Sequence, residues 1–211
     1  LDGVDIQDLE IAMDDADVIL DGNYEKISLI MAIGSATITS HIPAQLYTQG
    51  SIKQDLKGQF KKITIENNWN NINIESTYET KVSIDARRAE IFLNGKYKEI
   101  TLQGDHNTVD ISTDTKCQLN TQGNDNIINT SGSFDSIDMN EAISDIAIKA
   151  DQMPKKIKFA SRDGESNVKL TLPSNVKGFS VKYKMIDRDY GIMEDEEELN
   201  RYLNELVNQI D

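Results

Sequence analysis

Apolar side chains in this chain come in short alternating pairs separated by polar turns. One series falls at Ile63/Ile65, Val82/Ile84, Ile100/Leu102, Cys117/Leu119, Ile137/Met139 and Ile157/Phe159, at steps of 17 to 20 residues. A second falls at Ile72/Ile74, Ile91/Leu93, Val109/Ile111, Ile146/Ile148 and Val168/Leu170, with a poorer member near Ile127 and Ile128. Period-two alternation of this kind marks a half-buried strand. A longer period overlies the short one. Gly22-Asn23-Tyr24, Gly58-Gln59-Phe60, Gly95-Lys96-Tyr97 and Gly132-Ser133-Phe134 each open a block of the form Gly-x-aromatic-x-x-Ile-x-aliphatic. Their glycines lie 36, 37 and 37 residues apart.

A fixed period of this size is the signature of stacked repeats. A strand with two inward residues cannot bury its apolar face alone. Stacking each unit on the last puts every inward Ile or Val over another, about 4.8 Å away. The pattern therefore predicts an all-β, single-domain β-solenoid over residues 1–186, with a coil of either 18 or 37 residues. A long meander of antiparallel hairpins is the alternative. Leu9-x-Ile11-x-Met13 and Val18-x-Leu20 read as strands that begin the stack. The four aromatics Tyr24, Phe60, Tyr97 and Phe134 share one phase, which predicts a packing column along one edge.

Residues 187–211 read differently, as an acidic linker followed by an amphipathic helix over 194–210. Leu199, Tyr202, Leu203, Leu206, Val207 and Ile210 recur at helical spacing, and the acidic run Glu194 to Glu198 suits the N-terminal end of a helix dipole. These six residues are the candidate partner-binding surface: a cap on the open end of the stack, or a docking or self-association helix.

Composition narrows the classes of function. The chain has 211 residues and a formal net charge of −14, which gives no attraction for phosphate backbones and argues against nucleic acid. Cys117 is the only cysteine, so an intramolecular disulfide and a cysteine-built zinc site are excluded. His41 and His106 stand in no metal-ligand spacing. No metal or cofactor is expected. No apolar run is long enough to cross a bilayer, so membrane attachment is expected only through a tether outside this chain. The start at Leu1 reads as a processed or trimmed piece.

Candidate chemistry is sparse. Glu75, Asp85 and Asp110 at strand ends, with Arg87-Arg88 on a turn, are the residues a polysaccharide-cleaving β-helix could use, if neighbouring coils brought them together. Acidic residues are common in this chain, and solvated faces are the preferred reading of these. Trp69, between Asn67-Asn68 and Asn70-Asn71, could stack on a sugar ring or fold over its turn. Asn129-Thr130-Ser131 matches a glycosylation sequon. No catalytic residue is assigned.

Two stretches carry a family likeness. Ile33-Gly34-Ser35-Ala36-Thr37-Ile38 followed by Ile42-Pro43 resembles the turn-and-strand pattern of bacterial envelope-stress and cell-wall-antibiotic response proteins. Ser166-Asn167-Val168-Lys169-Leu170-Thr171-Leu172-Pro173, then Gly178-Phe179-Ser180-Val181, resembles the closing repeats of bacterial adhesin-like, or toast-rack, β-repeat domains. The resemblance spans residues 9–186. It implies a non-enzymatic sensing or scaffolding domain of the bacterial cell envelope, outside the cytoplasmic membrane, that binds a protein partner or itself. Two alternatives stand beside it: a carbohydrate-binding or polysaccharide-cleaving β-helix, and a cytoplasmic self-assembling scaffold similar to bactofilins.

Overall fold

The computed structural model describes residues 2–161, 166–173, 182–187 and 191–193. The expected helix over 194–210, with its six apolar residues from Leu199 to Ile210, lies outside the described residues. The described residues form these strands, joined by short turns: β1 (Asp2–Asn68), β2 (Asn71–Arg87), β3 (Glu90–Gln103), β4 (Thr108–Asn124), β5 (Ile127–Ala142), β6 (Asp145–Ala150), β7 (Lys156–Ser161), β8 (Asn167–Thr171), β9 (Lys182–Asp187) and β10 (Gly191–Met193). Every pairing from β1 to β9 is parallel; β10 alone returns antiparallel, onto β9. The molecule is a β-solenoid, and the antiparallel meander is set aside. Strand structure also continues past residue 186, into what the sequence suggests is linker.

The strand register fixes the coil. Gln54, Ile72, Ile91, Val109, Ile128 and Ile146 are successive partners, so the steps run 18, 19, 18, 19, 18. The 37-residue period is thus two coils of unequal length. Each coil has a first face (71–76 in β2) and a second face (81–87), joined by corners. Inward residues of both faces meet in one aliphatic core. Ile63, Ile65, Ile72, Ile74, Ile100, Leu102, Val109, Ile111, Ile146 and Ile148 all belong to it. Burying one such side chain contributes about 1.5–3 kcal/mol.

The extra residue sits in the corner between first and second faces. Ser76 to Lys81 is one residue longer than its partner segment Gly95 to Glu99, and Thr113 to Gln118 is one longer than Gly132 to Ser136. The short corners carry the glycine and the aromatic; the long ones carry Ser or Thr. At Gly95 (φ 117°) and Gly132 (φ 118°) a Cβ would run into the carbonyl oxygen of Ser76 or Thr113 one coil away. Only glycine allows the approach. Tyr24, Phe60, Tyr97 and Phe134 are all buried at this corner. Thr80 is the register partner of Tyr97, and Cys117 that of Phe134. Large rings therefore alternate with small side chains, which is how consecutive layers keep a common spacing without overpacking.

The same register corrects one pair. Leu119 lies opposite Ile137, and Thr121 opposite Met139, so Cys117 belongs to the aromatic column rather than to the Ile63/Ile65 series. Thr130 likewise takes the inward place after Ile128, opposite Ile111. The Oγ1 of Thr130 is buried without a hydrogen-bond partner, while that of Thr121 lies beside the buried Glu141 carboxyl.

Candidate functional site

The second corner of each coil, where the chain passes from the second face to the next first face, is polar. Trp69, Arg88, His106, Asp125 and Ile143 occupy it at steps of 19, 18, 19 and 18, each with φ between 50° and 65°. From Arg88 onward, the amide after the left-handed residue donates to a side chain of the next layer. Ala89 N–H donates to Asn107 Oδ1 at 2.9 Å, Asn107 N–H to Asn126 Oδ1 at 2.8 Å, and Asn126 N–H to Ser144 Oγ at 3.0 Å. The amides reach back as well: Asn107 Nδ2 donates to the Ala86 carbonyl and Asn126 Nδ2 to that of Gly104. In the first described layer of this kind, Asn67 does the work from the other side, clamping both the N–H and the C=O of Ile52. Buried backbone groups that would otherwise be orphaned are satisfied by this ladder.

Glu141 closes the ladder inside the core. It accepts hydrogen bonds from Asn126 Nδ2 at 2.8 Å and from Ser144 Oγ at 3.3 Å. Burial holds its carboxyl above the ordinary glutamate range, against the lowering effect of those bonds. A cavity of about 10 Å³ adjoins it, between Gly104, Asn107 and Asn126. Burial also pushes the Cys117 thiol up to about 12. That thiol stays protonated and is a small core residue, not a nucleophile.

Outside, the corner column is exposed. Arg88 lies over the Trp69 ring, 4.3 Å from its centroid, and Arg87 pairs with Asp105 at 3.2 Å. His106 Nδ1 meets Asp125 Oδ2 at 2.7 Å, and His41 Nε2 meets Asp21 Oδ1 at 2.6 Å. The Trp69 ring thus stacks on a guanidinium from the next coil, and both histidines are tied to an acid of a neighbouring layer.

The candidate acids are not brought together. Asp85 stands on the second face in the column Glu66–Asp85–Gln103–Gln122. Asp110 stands on the first face, where it accepts a hydrogen bond from Asn129 Nδ2 at 2.9 Å. Glu75 is on the first face two coils earlier, beside Lys57 at 3.8 Å. Arg87 and Arg88 belong to the polar corner. Asn129, the sequon asparagine, is engaged by Asp110 on the same face.

A concave feature lies on the outer surface of the first face. On the first face the outward columns run Phe92–Asp110–Asn129–Ala147–Lys169 and Asn94–Ser112–Ser131–Lys149–Thr171. Small side chains in the middle layers leave a trough of about 420 Å³ between Phe92 at one end and Lys149 and Lys169 at the other. Sequence patterning gives no sign of it, because outward Ser, Asn and Ala look like any solvated strand positions. Among the described residues no cluster of three or more metal-ligating side chains forms, and no helix is long and apolar enough to cross a membrane. No family model, curated protein or solved structure matches this chain.

Proposed function

We propose that this chain is a non-catalytic interaction domain of a bacterial cell envelope, an adhesin-like or sensing module of the toast-rack kind. One observation carries the reading. Several outward polar residues that could have supplied chemistry engage neighbouring layers instead: Asp110 with Asn129, Arg87 with Asp105 and His106 with Asp125, as Lys81 does with Glu99. Such pairs stiffen a rod and set the charge pattern of its faces, and each is worth little on its own at the surface. A rigid stack with long patterned faces suits recognition. The stretches Ile33 to Pro43 and Ser166 to Pro173 supply the envelope likeness.

Two measurements test the proposal. Protease treatment of intact cells producing the full gene product should release peptides of this domain; complete protection until lysis would refute the envelope placement. Purified protein should leave polysaccharides uncleaved. Turnover that disappears in Asp85→Ala or Asp110→Ala would refute the non-catalytic part.

A second reading, a carbohydrate-binding module, is favoured by the trough on the first face. It is compatible with the first, since a binding module need not cleave.

A further inference from the structure

We propose that the first-face trough binds an acidic glycan, a sugar chain bearing carboxylates. This deepens the interaction-domain reading and rests on it. The volume, about 420 Å³, falls within the range of ligand pockets. Phe92 and Lys169 belong to layers four steps apart, so the trough runs for about 19 Å along the stack. That length suits a chain-like ligand better than a single small molecule.

The order of side chains sets the chemistry. Phe92, 41% exposed, offers a flat apolar ring at one end, the surface on which the C–H face of a sugar packs. Asp110 and Asn129 follow, already joined by one hydrogen bond, with the second Asp110 oxygen and the Asn129 carbonyl left to accept from hydroxyls. Ser131 adds a hydroxyl beside them. Lys149 and Lys169 close the far end, and neither has a carboxylate within ion-pair distance among the described residues. Two ammonium groups in one trough with no carboxylate partner among the described residues, in a chain of net charge −14, suit an anion from outside.

An acidic peptide is the competing occupant, and the backbone disfavours it. Strands β4, β5 and β6 each pair with neighbours along the first face, so the floor offers no free edge for a peptide to join as a strand.

The test is calorimetric titration of the whole chain with a uronic-acid oligosaccharide, its carboxyl-reduced counterpart and polyglutamate. The uronate should bind. The carboxyl-reduced form should bind about tenfold more weakly, and Lys149→Gln combined with Lys169→Gln should erase that difference. Phe92→Ala should weaken both sugars. All these positions face solvent, so far-ultraviolet dichroism should be unchanged. No binding of the uronate, equal binding by wild type and variants, or polyglutamate bound as tightly through the same lysines would each overturn the assignment. A reducing-end assay on the same mixtures separates the two claims. Release of new ends refutes the non-catalytic reading and leaves the trough; absence of binding refutes the trough and leaves the reading.

Discussion

The two corners of each coil solve the same problem with opposite materials. At the aromatic corner the chain turns around volume: Tyr97 and Phe134 fill the core in the short coils, while Thr80 and Cys117 stand in the long ones. At the polar corner the chain turns around hydrogen bonds, and each layer does nearly the same thing. The difference explains the two periods. Volume cannot be repeated identically every layer, because ring on ring at one position would overfill the spacing, so the aromatic corner alternates with a two-coil period. A short side-chain acceptor recurs once per coil at Asn107, Asn126 and Ser144, and the left-handed residue recurs with it, so the polar corner keeps the one-coil period.

Breaking the aromatic corner should cost most. Tyr97→Ala removes a fully buried ring and its hydroxyl bonds to the carbonyls of Ile74 and Asn94, and should destabilise by about 3–5 kcal/mol in chemical denaturation. Thr80→Ala, in the neighbouring long coil, should cost several times less. Equal losses at the two positions would refute the alternation.

The polar corner should come second. Asn126→Ala leaves the Asn107 N–H, the Gly104 carbonyl and Glu141 short of a partner, and should cost about 1–3 kcal/mol. A change at the same corner should go the other way. Ile143 is β-branched, 55% exposed and held at φ 50°. Ile143→Gly should raise stability by about 1 kcal/mol, visible as a higher melting temperature.

Glu141 gives the smallest effect, and one that depends on pH. Its folded carboxyl titrates above the unfolded value, so the folded state binds the extra proton. The stability it contributes is full below the unfolded value of about 4.3 and is lost as pH rises through the folded value. Glu141→Gln lacks this loss. The melting temperature of the variant should therefore gain on wild type as pH climbs from mildly acidic to neutral; a gap independent of pH would contradict the buried-acid description.

Most of the core was legible because aliphatic alternation is a strong signal: Ile63, Ile65, Ile72 and Ile74 face inward as their spacing predicts. The failures have physical causes. Thr121 and Thr130 fill inward places without being apolar, so hydropathy passes over them. The Cys117/Leu119 pair falls two residues early because the second inward place, Thr121, is polar while the corner residue Cys117 is apolar. The turns announced themselves through Asn and Gly, yet the residues in the left-handed conformation include Trp69, Arg88 and Ile143, while Asn67, Asn107 and Asn126 are buried ladder members. Composition locates such a turn without saying which residue does what. Of the candidate site, Asp110 was named for its acidity, but the trough depends on small neighbours and on lysines several coils away. Only the register shows that they share a face.

Engineered disulfides between outward positions test the layer account most directly. Adjacent layers place partner residues about 4.8 Å apart, inside the range a disulfide spans, and Cys117 is buried away from the reaction. Thr64 partners Ser83 across a step of 19, and Ser83 partners Thr101 across a step of 18. The double variants Thr64→Cys/Ser83→Cys and Ser83→Cys/Thr101→Cys should both oxidise readily in the folded protein. Ser83→Cys/Asn120→Cys, 37 residues apart and two layers away, should not. Rapid bridging of the 83–120 pair, with the first two pairs unreactive, would mean that the coil is 37 residues long and that the two corners described above do not exist.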